Sequence, residues 1–159
     1  MDIQICAVGK LKEAYWRDAI QEYTKRLSRF ASLEIIEVKE ELLPANASPK
    51  DEEMVKAEEG KRLLEKIREG TYMILLDVKG KELSSEAFAS KMEELAVAGK
   101  SKIAFVIGGS LGVSETVRQR ADYRLSFSPM TFPHQMMRTI LLEQIYRSFK
   151  IRNHETYHK

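Results

Sequence analysis

Three segments of this 159-residue chain hold residue types that chemistry needs, and all lie in its last third. The first is Gly108-Gly109-Ser110-Leu111-Gly112, directly after the apolar run Ile103–Ile107. Glycines there permit positive φ and let backbone N–H groups approach a ligand closely. The second is Phe127-Ser128-Pro129-Met130-Thr131-Phe132-Pro133-His134, a stiff apolar loop in front of a helix. Such a loop can hold a flat aromatic ring, with backbone groups supplying hydrogen bonds. The third is the tail Ile151–Lys159, which ends in aromatic, titratable and cationic groups able to stack on a base and pair with phosphate. Each has a plain alternative that the residues alone leave open: a tight turn, a rigid helix lead-in and a frayed terminus.

Several chemistries are excluded by pattern. The glycine segment is neither GxGxxG nor a P-loop, because no GK[ST] ending follows. One cysteine and three scattered histidines form no zinc pattern, and no GxSxG nucleophile elbow occurs. His134, beside a helix start, reads as structural, and Cys6, inside an apolar stretch, reads as buried packing. A single cysteine forbids an internal disulfide and fits a reducing, cytoplasmic setting. No stretch approaches the roughly 20 apolar residues of a membrane helix. The net charge of +2 conceals an asymmetry: residues 101–159 hold nine Lys and Arg against four Asp and Glu. A basic C-terminal third suits an anionic partner such as RNA, although a merely solvated basic face would look the same.

Strands and helices that must position these segments alternate along the chain. Ile3–Val8 reads as a strand closed by Gly9. Trp16, Ile20, Tyr23, Leu27 and Phe30 follow at helical spacing, and Leu33–Val38 is a second strand. Residues 41–50 form a loop that ends in Ser48 and Pro49, an N-cap and first-turn proline for a charged surface helix over 50–69. Gly60 weakens that helix. Tyr72–Val78 is a buried strand, after which Lys79-Gly80-Lys81 turns the chain. Phe88, Met92 and Leu95 mark a helix ended by Gly99, and Ile103–Ile107 is the most hydrophobic strand. A short helix near 114–120, a short strand near 122–126 and a final helix over 134–150 complete the series. The last helix is apolar nearly all round, which points to a subunit interface as well as a core. The expected fold is one α/β domain over residues 1–159, with a mainly parallel sheet covered by helices on both faces, and Leu75–Gly80, Ile107–Gly112 and Phe127–Pro133 are the segments placed beyond strand ends, where ligands of such sheets bind.

Taken in order, Ala7-Val-Gly-Lys10, Phe105-Val-Ile-Gly-Gly-Ser-Leu-Gly112, Leu125-Ser-Phe-Ser128, Met130-Thr-Phe-Pro-His-Gln135 and Tyr157-His158 make the chain resemble the RlmH family of SPOUT methyltransferases. The resemblance spans the whole chain, with Lys159 standing where some relatives have arginine. It implies a homodimer that methylates N3 of a pseudouridine in 23S ribosomal RNA on assembled ribosomes, using S-adenosylmethionine, with no DNA or membrane partner. It also implies a C-terminal trefoil knot, which chain physics alone would disfavour. By position, the cofactor lies against Leu76, Gly108, Phe127, Ser128, Pro129, Met130, Thr131 and Phe132. No metal is implied, because the sulfonium is already activated.

Methyl transfer from that cofactor is an in-line displacement in which positioning does most of the work. The tail offers His158 to handle the N3 proton and Tyr157 to stack on or orient the base. Arg152 and Lys159 can neutralise phosphate or a developing enolate oxygen, with His154 and Arg138 as further RNA contacts; a structural salt bridge is the other reading of Arg138. One subunit's tail would complete the other's site. Two competing functions are a ribosome-associated binding factor that keeps the cofactor pocket without turnover and a methyltransferase of this fold with another RNA target. A nucleotide-binding module is disfavoured by the missing phosphate-loop residues.

Overall fold

The computed structural model describes residues 1–159, and its core is a five-stranded, entirely parallel sheet. The elements run β1 (Asp2–Val8), α1 (Ala14–Leu27), β2 (Ser32–Val38), α2 (Pro49–Lys66), β3 (Tyr72–Glu82), α3 (Ser85–Val97), β4 (Lys102–Ile107), α4 (Glu115–Arg120), β5 (Tyr123–Ser126) and α5 (His134–Arg152). The strand order is β2-β1-β4-β3-β5. A parallel sheet needs a crossover between neighbours, and the helices that make the crossovers cover both faces. Side chains alternate accordingly. Ile3, Ile5, Ala7, Ile74 and Phe105 face the cluster built with α1, α3 and α5. Cys6, Val8, Met73, Leu75 and Val106 face Leu63 of α2 and Val117 of α4. Burial pushes the Cys6 thiol up to about 11, so it stays protonated packing material.

The caps read from the sequence are present. Ser48 Oγ accepts from Asp51 N at 3.2 Å, and Asp51 Oδ2 accepts from Ser48 N at 2.9 Å, a reciprocal capping box behind Pro49. Gly99, with φ of 79°, stops α3. Two features differ from expectation. The strand does not end at Val78: Leu76 and Lys81 both pair with Leu125, so residues 77–80 bulge out of a ladder that then resumes. A Cβ on Gly80 would lie 2.6 Å from Arg124 O, so glycine there lets the strand rejoin β5 rather than turn away. Gly60 has a positive reason to be mid-helix. Its missing Cβ would lie 2.8 Å from both Ser114 Oγ and Val117 Cγ2, so α2 and α4 pack through it.

No residue of α5 is fully exposed. The helix lies between α1 and α3, with Phe30 stacked on Phe149 at 5.2 Å and Tyr23 edge-on to Tyr146 at 6.4 Å. Packing within one chain therefore accounts for much of its apolar character. No helix is long and apolar enough to cross a membrane.

We expect Gly60→Ala to destabilise the protein despite a helix-propensity gain of about 1 kcal/mol. Overpacking against α4 typically costs about 1–3 kcal/mol and should win. A urea midpoint equal to or above the parent's would show that α4 gives way at no cost.

Candidate active site

All strands of a parallel sheet end on one edge, and ligands gather there. A cleft of about 380 Å³ opens past the ends of β4 and β5 and beside the bulge in β3. Its floor is the glycine turn. Gly112 adopts φ of 89° and its N–H donates to Gly109 O at 3.0 Å. A Cβ on Gly108 would lie 2.6 Å from Val113 Cγ1, and one on Gly109 would lie 2.9 Å from Glu59 Oε1. Both positions are glycine because the turn is pressed against its own support. Glu59 is buried behind it, accepting from Glu41 N at 3.1 Å, and burial raises its carboxyl above the ordinary range.

The loop between β5 and α5 forms the opposite wall. Ser126 Oγ donates to Ser128 O at 3.3 Å, and Ser128 Oγ accepts from Met130 N at 3.0 Å, which folds the loop on itself. Of the residues expected around a cofactor, Leu76, Gly108, Phe127, Ser128, Met130, Thr131 and Phe132 line the cleft; Pro129 does not. Its titratable residues are Asp77, Lys79, Arg118 and His134. None of these four was singled out as a ligand contact from sequence, and His134 was read as structural. A carboxylate closing an apolar strand run, as in Leu75-Leu76-Asp77, is the signal that could have found Asp77.

Arg138 corrects an expectation. Placed among RNA contacts by sequence, it is only 2% exposed. Its guanidinium lies 2.5 Å from Glu37 Oε2 and donates to Gly9 O at 2.6 Å and Val8 O at 3.1 Å. With its own side chain 3% exposed and its terminal nitrogens taken by these partners, Arg138 takes the salt-bridge alternative.

The tail does not line the cleft. It folds back over α5: Tyr157 Oη donates to Glu143 Oε2 at 2.8 Å, and its ring meets Tyr146 edge-on at 5.0 Å. Burial, then the Glu143 carboxylate, raises the Tyr157 phenol. His158 Nε2 lies 2.6 Å from Glu86 Oε1 on α3, and its Nδ1 lies 3.2 Å from Arg147 Nη1. Arg152 packs over Phe149 at 5.0 Å, and burial lowers its pKa. His154 is exposed with φ of 54°, taking the left-handed position that ends α5, and Lys159 is exposed at the terminus. The structure thus brings the expected cofactor residues together and gathers the expected catalytic residues elsewhere. A smaller hollow of about 280 Å³, bordered by Ser84, Ser126 and Gln144, shares Leu125 and Phe127 with the cleft.

Two outcomes are expected. Arg138→Gln should lower stability by about 2–3 kcal/mol in chemical denaturation, since it strands two carbonyls and a carboxylate. An unchanged midpoint would show that water replaces the guanidinium freely. The His158 contact holds the Glu86 carboxyl below the ordinary carboxylate range. The docking it supports is complete above that range and should be lost as pH falls through the lowered value. NMR shifts of tail amides that stay fixed throughout that titration would remove Glu86 as the anchor.

Comparison with known proteins follows the same lines. A family model described as "Predicted SPOUT methyltransferase" matches residues 1–158. The Ribosomal RNA large subunit methyltransferase H of Alkaliphilus oremlandii is 58% identical over 159 residues, covering 100% of both chains. The protein of the same name from Clostridioides difficile is 57% identical over the same full length. Among solved structures, a probable methylase family protein from Haemophilus influenzae shares the fold with a TM-score of 0.53 at 14% identity, over 96% of this chain and 66% of that one. With a family model spanning nearly every residue and full-length relatives identical at more than half their positions, this chain belongs to the SPOUT methyltransferase family.

Proposed function

We propose that the protein methylates large-subunit ribosomal RNA at N3 of a pseudouridine, using S-adenosylmethionine, on ribosomes in the cytoplasm. The observation that carries this reading is the cleft, which collects all but one of the expected cofactor residues at the strand ends of a SPOUT fold. Its fit to the cofactor can be judged from its walls. A volume of about 380 Å³ lies within the usual range for ligand sites. Phe127, Phe132 and Leu125 offer apolar surface to a flat base, with the glycine turn Gly108–Gly112 beside them in the lining. The full-length relatives named for large-subunit ribosomal RNA supply the substrate class.

Bound S-adenosylmethionine supplies an electrophilic methyl group on a sulfonium, so the chain's task is placement and proton removal. The glycine turn and the Phe127–Phe132 loop orient the donor and exclude water. His158 takes the N3 proton, with Tyr157 stacked on or orienting the base. Arg152, His154 and Lys159 meet phosphate or enolate oxygen. Because these residues lie outside the cleft lining, a second copy of the chain brings its tail to the first copy's cleft, making the working unit a homodimer. The family reading also carries the trefoil threading of the C-terminal part.

A second assignment of the proton step rests on one observation: His134 lines the cleft itself. Radiolabelled S-adenosylmethionine and ribosomes lacking the modification separate the possibilities. Label should map to N3 of a large-subunit pseudouridine, and His158→Ala should slow transfer about 10²–10⁴-fold, the usual worth of general-base help. If His134→Ala is slow and His158→Ala is not, the cleft histidine takes the role. Mixing Gly108→Val with His158→Ala chains should restore activity if the tail acts in trans. Cofactor binding without any transfer would instead favour a ribosome-associated binding factor.

A further inference from the structure

Trp16 is the only tryptophan of the chain and opens the apolar stripe of α1, yet it packs against neither core cluster. Ile20, Tyr23 and Leu27, further along the same stripe, all belong to the core or its margin. The indole is instead half-buried, set edge-on to Tyr15 at 5.1 Å, and Tyr15 is itself 64% exposed. An edge-on pair leaves at least one face of each ring clear of the other. Adjacent rings left open in this way mark a contact surface, whereas a single exposed apolar residue carries no such meaning.

These rings stand at the start of α1, directly after the turn that leaves β1. The backbone of that turn is fixed. Gly9 adopts φ of 87°, and its N–H donates to Val38 O at 2.8 Å. Leu11 N donates to Glu37 Oε2 at 3.1 Å, and Arg17 Nη1 donates to Leu11 O at 3.1 Å and Lys12 O at 2.5 Å. Lys10 and Lys12 extend from this held backbone; both are exposed and neither forms an ion pair. The Glu37 charge is met by Arg138, which leaves Glu13, Asp18 and Glu40 as the exposed carboxylates that bound the cationic corner. The corner also borders the cleft. β1 pairs with β4 as far as Ala7 and Ile107, and Val8 Cγ1 lies 3.3 Å from where a Cβ on Gly109 would stand.

We propose that Lys10, Lys12, Tyr15 and Trp16 form a docking surface for ribosomal RNA beside the cleft. An unstacked base lies on the exposed ring pair, and the two ammoniums meet the phosphates that flank it. Single-stranded RNA fits this corner better than an acidic peptide does, because it offers flat faces and anions together along one strand. Held backbone fixes where the two charges stand, so the corner sets the register in which RNA crosses the cleft mouth. This rests on the RNA substrate proposed above and adds a contact surface separate from both the cleft and the tail.

The test is equilibrium binding to ribosomes lacking the modification, over a series of salt concentrations. Tyr15→Ala should weaken binding about 5- to 150-fold, the usual worth of one stacked base. Lys10→Gln and Lys12→Gln should each weaken binding and lower the salt slope by about 1. Trp16→Phe should keep most of the affinity that Trp16→Leu loses, and none of these changes should alter affinity for S-adenosylhomocysteine. Variants that bind ribosomes as the parent does overturn the docking surface and leave the proposed function standing. A parent that does not bind ribosomes overturns the RNA substrate, and the surface with it. Weaker binding at an unchanged salt slope in the lysine variants assigns the corner to a ribosomal protein instead. Loss of self-association on sedimentation of Tyr15→Ala or Trp16→Leu assigns the rings to a second copy of the chain and likewise overturns the proposal. The two lysine variants change exposed side chains alone, so they decide the matter if a ring variant fails to fold.

Discussion

The guanidinium of Arg138 is the pin on which the C-terminal edge of this molecule turns. It reaches from α5 to the carbonyls of Val8 and Gly9, where β1 ends, and to Glu37 near the end of β2. Its two terminal nitrogens meet three oxygens, which an ammonium would meet less well, while Nε is buried without a partner. The last helix is thereby fixed to the first strand pair across 129 and 130 residues of sequence. His134, one turn before Arg138, and Met137, the residue just before it, are cleft residues. The position of one wall of the cleft therefore depends on a contact made behind it.

Close approach of backbone is the second constraint, and glycine meets it in three places. Gly60 lets α4 seat on α2, which carries Val113 and the glycine turn into place. Gly108 and Gly109 hold the turn against Val113 and Glu59. Gly80 returns β3 to β5 after the bulge that turns Asp77 out of the ladder. Gly60, Gly80 and Gly109 lie at crossings between segments distant in sequence and Gly108 within the turn itself, so each substitution would be felt as a shift of the cleft wall as much as a loss of stability.

What could be read from the sequence follows from how local its causes are. Apolar runs and helical spacings located nearly every element, and Ser48, Pro49 and Gly99 marked helix ends by chemistry confined to a few neighbours. The passage of β3 beyond Gly80 was hidden, because its pairing partner is Leu125, far along the chain. Arg138 was ambiguous for the same reason: a charge on a helix looks solvated unless its partners are known. Gly60 read as a weakness because the helix that fills its notch is 54 residues away, at Ser114. Asp77 falls in Leu75–Gly80, a segment placed at a strand end, but was not read individually since its neighbours Arg118 and Arg124 assemble only in three dimensions. The cleft residues carried by family resemblance, by contrast, sit on contiguous stretches at strand ends, where linear order and spatial order coincide.

The separation between cleft and tail bears on how so small a chain can act on a large substrate. One edge of the sheet builds the apolar ligand cleft, while Tyr157 and His158 are held on α5 and α3 by Glu143, Arg147 and Glu86. Those anchors are carboxylates and a guanidinium at half-buried or exposed positions, contacts that water and a nucleic acid phosphate can compete for. The tail is ordered without being locked. Under the function proposed above, in which His158 withdraws a proton from an RNA base, such anchors can be exchanged at small cost when the substrate arrives. On that proposal the rigid half of the site would hold what is small and always the same, and the exchangeable half would meet what is large.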